Sequence, residues 1–78
     1  MIKIRLFTTL GCHLCEDAER LLTPLTNDKI IVLESVDIAD DDDLVELYGI
    51  RIPVIKRMDS GQELGWPFDY KSLSSFLV

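Results

Sequence analysis

The sequence predicts an α/β fold, with a four-stranded mixed sheet covered by helices on both faces. Three observations support this: a two-residue alternation near the N-terminus, a β-branched run in the middle of the chain, and stretches whose apolar residues recur every three or four positions. The predicted order of elements is β-α-β-α-β-β-α. Residues 1–78 contain no repeat or linker, so we interpret them as a single domain.

The first three elements predict a right-handed parallel crossover. Residues 2–7 alternate apolar with basic or aromatic side chains and predict a strand. A helix is expected from His13 to about Leu25, ended by Pro24 and the residues after it. Its apolar stripe consists of Leu14, Ala18, Leu21, Leu22 and Leu25. The β-branched run at 29–38 is typical of an interior parallel strand covered on both faces.

The second helix is predicted from its end signals. Asp40 reads as the N-cap, with Asp43 at the third helical position, and Gly49 as the C-terminal stop. The expected apolar face consists of Leu44, Leu47 and Tyr48.

The last three elements predict a hairpin followed by a helix. Strands at 50–58 and 62–66 are separated by the turn sequence Asp-Ser-Gly, so we expect them to pair as a hairpin. Asp69 is placed to cap a final helix at 70–78. Its expected buried face consists of Tyr70, Leu73, Phe76 and Leu77.

Charge and hydropathy disfavour several classes of partner. The net charge is −6, with the acidic excess concentrated at 37–46, and this disfavours binding to nucleic acid or anionic membranes. No apolar run is long enough for a membrane span, and the N-terminus lacks the apolar stretch of a secretory signal. We therefore expect a cytoplasmic protein with reduced cysteines.

The two cysteines of the chain, Cys12 and Cys15, lie where the first strand gives way to the first helix. The N–H groups and partial positive charge of a helix N-terminus stabilise a thiolate, so the pKa of Cys12 should lie below the free value of about 8.5. The spacing lets Cys15, one turn inside the helix, resolve a mixed disulfide formed on Cys12. The favoured interpretation is a redox pair with these two catalytic residues.

Two other interpretations of the pair stay open. The cysteines can be inert or form a plain bridge, although so short a loop gains little stability from a crosslink. They can also bind metal together with His13, but a closed zinc site needs four ligands, so we expect no metal or cofactor within one chain and leave a cluster shared by two chains as an alternative. His13 is either an exposed first-turn residue or a neighbour whose partial positive charge lowers the pKa of Cys12.

A proline segment and two further motifs resemble a known family. Pro53 begins the third strand, and with the upstream cysteine pair a cis Ile52–Pro53 bond is expected. The segments TTLGCHLCEDAERLL, YGIRIPVI and ELGWPFD, in this element order, resemble the thioredoxin superfamily and most of all the glutaredoxins. They are similar to a small group of glutaredoxin-like proteins that share C-x-x-C, I-P-V and W-P-F-D motifs.

The resemblance implies a thioredoxin-like fold and a thiol–disulfide oxidoreductase. It implies that Cys12 is the nucleophile, that Cys15 resolves, that Ile52 pairs with the substrate backbone and that Pro53 faces the cysteines. Separately from the resemblance, the aromatic residues Trp66, Phe68 and Tyr70 are most simply interpreted as packing of the last strand and helix, with a rim for a peptide or thiol ligand as the alternative.

Departures from the family pattern concern glutathione. Glutaredoxins usually have a basic residue where this chain has Thr9, and they have a glycine pair and an aspartate where it has the segment 65–69. The expected partner is therefore a thiol or disulfide protein or a small thiol, with glutathione a doubtful one, and the chain is expected to act as a monomer. The alternative function is a protein-binding module on the same fold, either redox-inactive or linked to a metal or iron–sulfur cluster.

Overall fold

The computed structural model describes residues 2–77, whose strands form one sheet in the order β2-β1-β3-β4. The elements are β1 (Ile2–Thr8), α1 (His13–Asn27), β2 (Ile31–Asp37), a 3-10 turn (Ile38–Asp40), α2 (Asp42–Tyr48), β3 (Val54–Arg57), β4 (Glu63–Gly65) and α3 (Tyr70–Phe76). Strand β2 pairs parallel to β1, whereas β3 pairs antiparallel to β1 and to β4. The predicted order and mixed sheet are confirmed; Met1 and Val78, included in the predicted domain, lie outside the described residues.

The alternation in β1 divides the core between the two faces of the sheet. Ile4 and Leu6 have no exposed surface and pack with residues of α1 and α3 on one face. Phe7 points the other way and packs with Tyr48 of α2. The helices therefore cover both faces, as predicted. None of the helices in the described residues has the length and hydropathy that a membrane span requires.

Strand β2 is at the edge of the sheet, so the prediction of an interior strand was wrong. It pairs with β1 on one side, and Val32 is 47% exposed. The central position belongs to β1, because the hairpin of β3 and β4 adds to the opposite edge of β1. β-branched residues favour edge and interior strands alike, so composition could not separate the two.

Helix α1 differs from its prediction at both ends. It continues through Pro24 to Asn27, and the chain leaves it through Lys29 in a left-handed conformation (φ 60°). Near its start, Leu14 is 48% exposed, whereas Cys15 occupies the buried position with 2% exposure. The buried side therefore starts at Cys15, one residue and about 100° around the helix from Leu14.

The two shorter helices begin at aspartates. Asp41, not Asp40, caps α2, because the 3-10 turn extends to Asp40; its Oδ1 accepts the N–H of Asp43 at 2.9 Å. Asp69 caps α3 as predicted and accepts the N–H of Ser72 at 2.8 Å. That bond and the hydroxyl of Ser72 hold the pKa of Asp69 below its usual value.

Two residues predicted to be buried in these helices are exposed. Leu47 of α2 is 58% exposed and Tyr70 of α3 is 52% exposed, so both predictions were wrong. The core contacts come from other residues of the predicted faces. In α2 this is Tyr48, next to Leu47, and in α3 it is Leu73, one turn after Tyr70. A helix of seven residues has room for few inward positions.

The β3–β4 hairpin is tied to the end of α3 by a buried charge. Arg57 is 8% exposed and donates to both carboxylate oxygens of Asp59, at 2.9 and 2.7 Å. Its Nη1 donates to the carbonyl oxygen of Phe76 at 2.7 Å. The guanidinium holds the pKa of Asp59 below its usual value, and this pairing makes the burial of Arg57 tolerable.

Candidate active site

The cysteine pair is positioned by the loop that joins β1 to α1. Gly11 in this loop has φ +79°, a left-handed conformation that glycine adopts at least cost. Cys12 follows as the N-cap of α1, with an extended backbone, and its Sγ accepts the N–H of Cys15 at 3.1 Å. The predicted position of Cys12 at the start of the helix is confirmed.

The two sulfurs form a disulfide, but they differ in access. The Cα atoms of Cys12 and Cys15 are 5.2 Å apart. Cys15 is 2% exposed and faces the core, whereas Cys12 is partly exposed at the helix end. An incoming thiol or thiolate therefore reaches Cys12 and not Cys15.

A groove of about 330 Å³ runs beside the disulfide, between the start of α1 and the end of β2. One wall consists of Glu16 and Glu19, which lie about one turn apart on α1. The other contains Asp37, which pairs in register with Thr8 at the end of β1. The remaining lining residues are Thr8, Thr9, Leu10, Gly11, Cys12, Cys15 and Ser35.

Sequence reasoning did not select these carboxylates as site residues. A signal was present in α1, because Cys12, Glu16 and Glu19 are spaced by four and three positions and so share one side of a helix. No local signal indicated Asp37, which the parallel pairing of β1 and β2 brings to the same end of the sheet.

The proline segment lies at the same end of the sheet as the cysteine loop. The Ile52–Pro53 peptide bond is cis, and Pro53 is buried immediately before β3. Since Phe7 pairs with Val54, Pro53 comes next to the last residue of β1, just before the cysteine loop. The N–H of Ile52 donates to the carbonyl oxygen of Tyr48 at 3.1 Å, so this donor is already used within the chain.

Tyr48 of α2, Glu63 of β4 and Arg51 of the intervening loop form a polar cluster. The Tyr48 hydroxyl donates to Glu63, and the Arg51 guanidinium lies 3.6 Å from the other oxygen of that carboxylate. The Arg51 guanidinium carbon also lies 5.4 Å from the centre of the Tyr48 ring. Burial, followed by the bond to Glu63, raises the pKa of Tyr48.

His13 and Trp66 occupy different surroundings. The His13 side chain is 93% exposed, with Nδ1 at 3.6 Å from a Glu16 carboxylate oxygen, and no hydrogen bond in the described residues joins it to a sulfur. The Trp66 ring packs edge-on to Phe68 at 5.1 Å and against the core beneath α1, while its backbone N–H donates to Pro53. Within residues 2–77 no group of three or more His, Cys, Asp or Glu side chains is arranged to hold a metal ion.

Comparison with known proteins shows that most of the chain matches one protein family. Residues 3–78 match the glutaredoxin-like domain family. The chain is similar to protein XcR50 from X. campestris, with 36% identity over 95% of this chain and 93% of the other and a TM-score of 0.82. It is also similar to protein Ne2328 from Nitrosomonas europaea, with 28% identity over 99% and 92% of the two chains and a TM-score of 0.84.

More distant likeness concerns the fold alone. Thioredoxin 1 from Thermosipho africanus is 17% identical over 96% of this chain and 85% of its own, with a TM-score of 0.61. The chain therefore has a thioredoxin-like fold, as predicted. A search of curated proteins found no match.

Proposed function

Because the chain belongs to the glutaredoxin-like domain family, we propose that it is a thiol–disulfide oxidoreductase that works through Cys12 and Cys15. The observation that supports this most is the difference between the two sulfurs. Cys12 caps the helix, receives the N–H of Cys15 and is partly exposed, whereas Cys15 is 2% exposed. That arrangement suits Cys12 as the thiol that attacks the substrate disulfide and Cys15 as the buried thiol that resolves the mixed disulfide.

The proposed reaction proceeds by two exchanges. In the reduced protein the Cys12 thiolate attacks one sulfur of a substrate disulfide, forms a mixed disulfide and releases one substrate thiolate, which takes up a proton. Cys15 then gives up its proton and attacks the Cys12 sulfur, and the second substrate sulfur leaves as a thiolate that takes up a proton. Two electrons pass from the protein to the substrate, and the protein is left with the Cys12–Cys15 disulfide. The reverse sequence oxidises a dithiol.

The surrounding residues have proposed supporting roles. The N–H of Cys15 stabilises negative charge on the Cys12 sulfur. The Ile52 carbonyl accepts a hydrogen bond from the substrate backbone, and Pro53 covers the side of the site towards β3. Trp66 borders the site through its backbone bond to Pro53, and His13 borders it at the exposed first turn of α1.

We further propose a cytoplasmic monomer that acts on a protein disulfide or a small thiol. A reducing compartment supplies the thiols that return the disulfide to the reduced state. The net charge of −6 supports partners other than nucleic acid and anionic membranes.

The test compares reduced wild type with Cys12→Ser and Cys15→Ser, each mixed with a peptide disulfide. Wild type should release two peptide thiols per protein and end as its own disulfide. Cys15→Ser should release one peptide thiol and gain the mass of one peptide, because nothing resolves the mixed disulfide. Cys12→Ser should react at least about a hundredfold more slowly, since the remaining thiol is buried.

The two serine variants are matched controls for each other, because each removes one sulfur from the same turn. The proposal is wrong if wild type leaves the peptide disulfide intact. It is also wrong in its assignment of roles if Cys12→Ser traps the peptide as readily as Cys15→Ser.

A further inference from the structure

The groove beside the disulfide has one sign of charge. Its lining contains Glu16, Glu19 and Asp37 and no lysine or arginine. Resting on the proposed function, we infer that the substrate is a basic polypeptide segment whose cysteine lies between lysine or arginine residues. The carboxylates of the groove select it over acidic thiols.

The three carboxylates are available to a ligand to different degrees. Glu19 has no ion-pair partner within the described residues, and its side chain borders the groove. Glu16 lies 3.6 Å from the exposed His13 ring. One oxygen of Asp37 accepts the N–H of Ala39 at 2.9 Å, which leaves its charge in place.

Nearby cations of the chain are held elsewhere. Arg20 of α1 lies 3.0 Å from Asp17, and Arg5 of β1, three residues before Thr8, lies 3.2 Å from Glu34. Neither cation lines the groove. The negative potential is therefore not cancelled where a substrate would approach Cys12.

Apolar side chains around Cys12 fit the same class of substrate. Leu10 is 91% exposed and Leu14 is 48% exposed, and they precede and follow Cys12 by two residues. Lysine and arginine have long aliphatic stems that can cover such leucines while the charged end reaches a carboxylate. An acidic side chain offers a shorter stem and the wrong charge.

The same charges disfavour a small acidic thiol such as glutathione. At neutral pH that tripeptide has two carboxylates and one ammonium group, so it brings net negative charge to the groove. Thr9, which lies in this loop three residues before Cys12, is uncharged and so does not offset a ligand carboxylate. The overall charge of −6 acts in the same direction at longer range.

The test uses two short peptides of equal length with one central cysteine, flanked by lysines in one and by glutamates in the other. Each is prepared as its symmetrical disulfide and mixed with reduced wild type near neutral pH, and the rate of thiol release is divided by the rate with dithiothreitol. That division removes the effect of flanking charge on the peptide sulfur itself. We expect the lysine peptide to react about tenfold faster or more at low salt, and the ratio to fall in about 0.5 M salt.

Two variants that each remove one negative charge test whether the groove causes the preference for the lysine peptide. Glu19→Gln should lower the lysine-to-glutamate ratio about two- to fivefold, because an exposed carboxylate contributes a modest interaction. Glu46→Gln, an equal charge change at an exposed position of α2 outside the groove, should leave the ratio nearly unchanged.

The outcomes separate this inference from the proposed function. Equal normalised rates for the two peptides, or faster reaction of the glutamate peptide, overturn the inference and leave the oxidoreductase intact. A lysine preference that Glu19→Gln and Glu46→Gln change equally overturns the assignment to the groove. Failure to reduce either peptide contradicts the proposed function, and the inference falls with it.

Discussion

Tyr48 is the residue that joins the core of the α2 face to the proline segment. Its ring stacks on Phe7 with centroids 4.2 Å apart, and it is 6% exposed. Its hydroxyl donates to Glu63, and its backbone carbonyl accepts the N–H of Ile52. A single side chain therefore links the packing of β1 to the loop that ends at Pro53.

Tyr48→Phe should destabilise the protein by about 1–3 kcal/mol, because it leaves the Glu63 carboxylate without this donor. Chemical denaturation near neutral pH measures the loss. Tyr70→Phe is the matched control, since that ring is 52% exposed and its hydroxyl makes no hydrogen bond in the described residues. Equal effects of the two variants would contradict this account of Tyr48.

The raised pKa of Tyr48 also predicts how stability changes at alkaline pH. Below about pH 10 this tyrosine is protonated in the folded and unfolded chains alike, and its contribution is complete. Above that pH the unfolded chain loses the proton first, so the free energy of unfolding falls as pH rises through the folded pKa. The difference between wild type and Tyr48→Phe should therefore shrink above about pH 10, and a difference that grows there would contradict the shift.

At the scale of elements, two glycines define the loops on which the site and the hairpin depend. Gly11 precedes Cys12 and Gly61 ends the β3–β4 turn, and both have φ +79°. An added Cβ would meet no atom within 4 Å at either position. The cost of replacing them therefore comes from the backbone conformation alone.

Gly11→Ala and Gly61→Ala should each destabilise the protein by about 1–2 kcal/mol, the cost of a left-handed conformation for an alanine. The two variants are controls for each other, because geometry and surrounding space match. Chemical denaturation checks the sign. If Gly11→Ala stabilised the chain, as glycine-to-alanine changes do at ordinary helical angles, the described loop would be wrong.

The ends of the three helices show which helix boundaries can be predicted from sequence. Asp69 was identified as a cap because it stands alone before an apolar stripe. Four consecutive aspartates at 40–43 span the start of α2, and each has the same capping chemistry, so the choice of Asp41 as the cap depended on the length of the preceding 3-10 turn. Pro24 lies inside α1, where it removes one backbone donor, but it does not end the helix, which continues for three more residues to Asn27.

At the scale of the whole molecule, the fold was predictable because its patterns are local. Alternation in β1, the apolar stripes and the turn between β3 and β4 each follow from neighbouring residues, and together they give the element order. The edge position of β2 was not predictable, because it depends on which side of β1 the hairpin joins. The burial of Arg57 likewise depends on a carbonyl of Phe76, nineteen residues further along the chain.

The candidate site was likewise predictable only in part. Cys12 and its place at the helix start follow from the junction of strand and helix. The groove does not, since Asp37 reaches it only through the register that pairs it with Thr8. Sequence thus located the sulfur at the start of the helix but not the charges that surround it.

The central claim is that the fold presents Cys12 for attack and keeps Cys15 inside, and selective alkylation of the reduced protein tests it most directly. Folded, reduced wild type is treated briefly with limiting iodoacetamide near neutral pH, and peptide mass spectrometry gives the share of label on each cysteine. The same reaction in denaturant supplies the control, in which both thiols are accessible. We predict at least about tenfold more label on Cys12 when folded and nearly equal label when denatured. Equal labelling in the folded protein, or preferential labelling of Cys15, would contradict the account.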